Sequence, residues 1–174
     1  MNRVSGIAAT RVAGLFLAFS IALPASADII QLEADLDGAQ ANAGAGTGSP
    51  GTGSATTMTL DDATNLFSWN ITWQDLVGSA FGAHFHGNAL PSQEAGVQVS
   101  IGVSLPAIGS ASLTNGQFAD LVAGLWYINV HTTEVGAGEI RGQVHVSAVP
   151  EPGTLALLGL GLAGMGLTRR RKKV

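Results

Sequence analysis

Alternation of apolar and polar residues dominates the middle of the chain and lays out its elements. Ile30, Leu32, Ala34 and Leu36 alternate with Gln31, Glu33, Asp35 and Asp37, which predicts a first strand with one dry face. Gly38–Ser54 is crowded with Gly and Ser and is expected to be a flexible loop. A second strand is expected over Ala55–Leu60 and a third over Leu66–Trp73. In the third, Phe67, Trp69, Ile71 and Trp73 share one face and predict the centre of the core. Ala83–Gly87 gives a short strand with His84 and His86 opposite Phe85, followed by a loop over Asn88–Gly96. Val97, Val99, Ile101, Val103 and Leu105 alternate again until Pro106 ends the strand. Asn115–Ala123 is the one helical candidate, with Phe118, Leu121 and Val122 at i, i+3 and i+4 and Gly124 as a stop.

The last alternating stretch, Leu125–Val146, holds two segments joined by the Gly-containing loop Thr132–Gly138 and predicts a hairpin. Trp126, Ile128 and Val130 take one face, as do Ile140, Val144 and Val146. The other face carries a polar row of Tyr127, Asn129 and His131, then Glu139, Arg141, Gln143 and His145. A one-residue slip would turn a whole apolar face outward, so opposed residues must share parity. The simplest register pairs His131 with Glu139, Asn129 with Arg141 and Tyr127 with Gln143. Many short strands and one short helix predict an all-β, antiparallel Greek-key sandwich.

Charge sharpens the reading. Between Asp28 and Val149 stand eleven acidic residues and one base, Arg141, a formal charge of −10. Such a module repels nucleic acid and attracts cations. There is no cysteine, so packing alone must hold the core. Arg141 has five donors in a rigid fork, enough to bridge Glu139, Asn129 and loop carbonyls as a structural tie. Tyr127 is expected at the surface, as part of a glycan- or protein-binding face. His84 and His86 lie about 6–7 Å apart along one strand face, close enough to share a transition metal, with His131 as a third ligand. No serine stands in a recognisable motif with His and Asp, and the domain is expected to be non-catalytic.

The ends read as processing segments. Arg3 and Arg11, the apolar Val12–Leu23 and the A-x-A site Ala25-Ser26-Ala27 make residues 1–27 a helical signal peptide, so the mature chain should begin at Asp28. The domain occupies residues 28–148. In 149–174, Pro150-Glu151-Pro152 precedes the apolar run Thr154–Thr168 and the basic end Arg169, Arg170, Arg171, Lys172 and Lys173. As a helix that run spans about 22 Å, short of the roughly 30 Å hydrocarbon core.

Pro-Glu-Pro, a Gly-rich apolar stretch and a basic cluster in that order resemble the PEP-CTERM sorting signal. The resemblance implies an exported protein of a Gram-negative bacterium that makes exopolysaccharide. Its precursor would insert transiently in the inner membrane, and an exosortase would remove the tail after a signal peptidase removes the leader. The product would reach the outer surface or extracellular matrix, with exopolysaccharide or matrix proteins as partners. His84-Phe85-His86-Gly87, Tyr127-Ile128-Asn129-Val130-His131-Thr132 and Gly138-Glu139-Ile140-Arg141-Gly142-Gln143 together resemble the CHRD domain, over about Ile30–Val146. That resemblance implies an immunoglobulin-like, all-β module without an established enzyme activity. The family's proline-containing segment after the first strand is replaced here by Gln40-Ala41-Asn42-Ala43. The H-x-H strand is also faintly similar to the copper-binding strand of copper–zinc superoxide dismutases, which would make the domain a copper-like redox protein using His84, His86 and His131.

Overall fold

The alternating segments become strands in the computed structural model, which describes residues 28–148 and 158–162. The signal-peptide residues, including Ala25 and Ala27, lie outside the described residues, as do Pro150, Glu151, Pro152, Arg169, Arg170 and Arg171. Residues 158–162 are helical, and no helix among the described residues is long and apolar enough to cross a membrane.

The strands are β1 (Ile29–Asp37), β2 (Thr52–Asp61), β3 (Leu66–Gln74), β4 (Ala80–His86), β5 (Val97–Ser100), β6 (Ala107–Ser112), β7 (Tyr127–Thr132), β8 (Ile140–Gln143) and β9 (His145–Ala148). One helix, α1 (Asn115–Val122), sits between β6 and β7. Its Thr114 cap and Gln117 form a reciprocal capping box. Gly124, at φ 73°, marks its end.

All pairings are antiparallel, in the order β5-β4-β7-β8-β1-β2-β3-β6, with β9 also on β1. The sheet turns its corner in the segment that holds β8 and β9. β8 pairs with β7, the ladder breaks at Val144, and β9 then pairs with Gln31–Glu33 of β1. The two halves thereby close over one core. Phe67 and Trp69 of β3 meet Phe85 of β4 edge-on at 4.9 and 5.3 Å, although four strands separate β3 from β4 in the order. Trp126 closes the cluster at 6.2 Å from both phenylalanines. Phe67, Trp69, Ile71 and Trp73 are all buried, as the alternation requires.

Several expectations need correction. Thr52–Ser54 is not loop but the start of β2, paired with both β1 and β3. The Gly-rich segment before it is held by bonds: Thr47 Oγ1 donates to the Glu139 carbonyl at 2.8 Å, and Ser49 Oγ donates to the Glu139 carboxylate at 2.6 Å. The strand at Val97 stops at Ser100, and Val103 and Leu105 are exposed. β6 follows, with an inverted pattern in which Ala107 is buried and Ile108 exposed. Its Gly109 lies against the Trp69 indole, where a Cβ would approach Cζ2 to 2.5 Å. The small residues of β6 make room for the large ones of β3.

Candidate metal centre

The hairpin register is the expected one over β7 and β8: Tyr127 faces Gln143 and Asn129 faces Arg141. The same parity carries onto β4, where His86 faces Tyr127, His84 faces Asn129 and Gly82 faces His131. Three strands thus present one polar face. It is not wet, as the alternation implied. Tyr127, Asn129, Arg141 and Gln143 are buried, and Tyr127 is no surface contact. The loop before β5 covers this face, and the covering is what the strand pattern alone cannot reveal. Arg141 Nη1 donates to the Gln93 carbonyl at 2.9 Å and Nη2 to the Leu90 carbonyl at 3.3 Å. Gln143 Nε2 donates to the carbonyls of Ala89 and Gly124 at 2.9 and 2.8 Å.

Glu139 leaves the row. It precedes β8 and follows Gly138, which at φ 127° takes a conformation suited to glycine and packs on the Asn129 amide with no room for a Cβ. The strand period therefore does not apply to it, and His131 and Glu139 are not ladder partners. The carboxylate accepts from Ser49 Oγ and Thr132 Oγ1 at 2.6 Å each, and from the amides of Val77 and Gly78 at 2.6 and 3.2 Å. Burial pushes its pKa up, but these four donors outweigh it and hold the carboxyl below its ordinary value. Arg141 does not reach it; the carboxylate nearest the guanidinium is that of Glu94, at 4.0 Å and largely exposed.

His84, His86 and His131 come together on this face. One ligand nitrogen from each lies within 4.8 Å of the others. His86 Nδ1 lies 2.9 Å from the Ala95 carbonyl and His131 Nδ1 3.0 Å from the Gly136 carbonyl. A carbonyl only accepts, so Nδ1 is the donor in both rings, and Nε2 is left as the nitrogen that can offer a lone pair. Fixing one ring nitrogen on a carbonyl is how proteins aim the other at a metal. His86 Nε2 and His84 Nδ1 are buried without a hydrogen-bond partner. Burial first, and then its histidine neighbours, pushes the His84 pKa down. Burial also lowers His86, against the upward pull of its Ala95 bond. Both shifts favour the neutral form, the form that ligates. An ion held at about 2.0–2.1 Å would need the nitrogens roughly 3.3 Å apart, closer than the 4.8 Å within which they lie. His84 and His131 are only half-buried and leave a path from solvent. Opposite His131, Gly82 leaves space beside the rings, its nearest neighbour being His84 Cε1. The fourth histidine, His145, is exposed on β9 and stands apart.

Sequence reasoning found the three rings but missed what orients them. The Ala95 and Gly136 carbonyls carry no side-chain signature, and their loops show only as Gly-containing stretches between strands.

The CHRD domain model matches residues 32–144, and the PEP-CTERM protein-sorting motif matches residues 148–172. No curated protein and no solved structure is matched. The sorting motif is that of exported proteins processed by exosortase-type machinery. A β domain that spans most of the chain, with H-x-H on β4 and the N-V-H block on β7, followed by this motif, makes the chain a member of the CHRD domain family bearing a PEP-CTERM tail.

Proposed function

We propose that the domain is a non-catalytic metal-binding module, displayed at the outer surface or in the extracellular matrix once signal peptidase and exosortase have removed the two ends. His84, His86 and His131 hold one transition-metal ion. The observation that carries this is the gathering of the three rings, one nitrogen of each within 4.8 Å of the others, in which His84 and His86 each keep a buried, unpartnered nitrogen. A buried polar atom without a partner is costly, and an ion removes that cost in one step. An all-imidazole set suits zinc or copper better than calcium or magnesium, which take oxygen ligands. The surrounding −10 domain draws cations toward the site. Exopolysaccharide or matrix proteins are the partners such a location offers. The half-open His84 and His131 favour a second reading, in which an outside ligand reaches a bound copper ion and the site does redox chemistry.

X-ray absorption on the metal-loaded processed protein tests the proposal. Three imidazole nitrogens at about 2.0–2.1 Å are expected. A shell of oxygens alone, or an unchanged spectrum in the His84→Ala/His86→Ala double variant, would sink it.

A further inference from the structure

β4 carries a bulge at the edge of the histidine cluster. Ala80 faces Thr132 and Gly82 faces His131, which are neighbours on β7, so Phe81 is an extra residue between them. The bulge changes the side on which Phe81 lies. By parity it belongs with Ala83 and Phe85, both buried in the core, yet it is 62% exposed. Ala80 takes the core side instead, opposite the buried Thr132. The Phe81 ring lies 6.2 Å from the His131 ring, tilted by 35°. A single exposed phenylalanine needs no explanation. One that a bulge carries out of the core and sets beside a histidine of the cluster does, because bulges serve to re-aim side chains at sites.

Gly82, the next residue, matters for space rather than for conformation. Its φ is not in the left-handed region, so the backbone does not require glycine there. A Cβ at this position would lie 3.3 Å from His84 Cε1 and 3.8 Å from His131 Cδ2. Its absence leaves a gap beside two of the three rings, both of them only half-buried.

We infer that Gly82 and Phe81 form the ligand-binding side of the metal site, shaped for an oxygen donor carried beside a flat apolar ring. The inference rests on the proposed metal site. Three imidazoles leave one position open on a four-coordinate ion. The gap over Gly82, between His84 and His131, is where an outside donor can enter. What that donor carries then meets Phe81. Aromatic side chains take flat apolar rings by offset stacking or by edge contact, and an exposed one gains buried apolar area only when such a ring arrives. A donor without a ring gains nothing from Phe81. The residue therefore sets which ligand is preferred, not how tightly the metal is held.

The test uses two hydroxamates with the same donor group, acetohydroxamate and benzohydroxamate. They are titrated into the processed protein loaded with cobalt(II), whose visible absorption reports a change in coordination. Benzohydroxamate should bind wild type about fivefold more tightly than acetohydroxamate, the size expected of one aromatic contact. Phe81→Ala should hold cobalt as wild type does and bring the ratio close to one. Phe81→Trp should keep the preference. Gly82→Ala should weaken both hydroxamates, because its methyl fills the gap through which they enter. An unchanged ratio in Phe81→Ala, or no binding of either hydroxamate to the cobalt-loaded wild type, overturns the inference. Failure of the wild type to take up cobalt would instead overturn the metal site itself.

Discussion

Glu139 shows how far one side chain can depart from its neighbours in sequence. Two residues from Arg141, it serves as the acceptor for Ser49, Thr132, Val77 and Gly78, and so ties three loops together. Its folded pKa lies below its unfolded one, so its contribution is present above the unfolded value and is lost as pH falls through the folded one. Glu139→Gln should cost about 1–3 kcal/mol at neutral pH, because an amide offers one acceptor oxygen where the carboxylate has two. It should also flatten the loss of stability on acidification. Urea melts from neutral pH to pH 3 would show it. Parallel acid slopes in wild type and variant would mean that other carboxylates carry the acid sensitivity.

Among the elements, legibility followed the size of the side chains. β3 was plain because Phe67, Trp69, Ile71 and Trp73 are large and strictly alternate. The register of β7 against β8 was plain because parity allows few solutions. β6 was invisible: Ala107, Gly109 and Ala111 carry almost no apolar signal, and their smallness makes sense only beside Ile71, Trp69 and Phe67, which they face in turn. Val103 and Leu105 misled for the opposite reason, since alternation continued where pairing had stopped. The three histidines were legible from spacing, but the burial of Tyr127 and Arg141 was not, because it depends on a loop folding back over the face. Gly109→Val tests the β6–β3 fit. It improves β propensity, yet its side chain must displace the Trp69 indole, so it should destabilise by about 1–3 kcal/mol. Thermal melts with wild-type stability would place Trp69 elsewhere.

Taken whole, the described domain is an acidic β domain with one buried cation, Arg141, and the residues after it, 148–172, match a sorting motif. The apolar core and the polar face occupy opposite sides of β4 and β7: Phe85 and Ile128 pack inward, while His84, His86 and His131 gather on the other side. The aromatic core thus gives the histidines a rigid support, and the loops of Ala95 and Gly136 aim them. Elemental analysis of the processed protein, purified from its native host without added metal, tests this most directly. One transition-metal ion per chain is expected, lost in His86→Ala while the domain stays folded. Metal-free native protein, or full occupancy retained in His86→Ala, would contradict it.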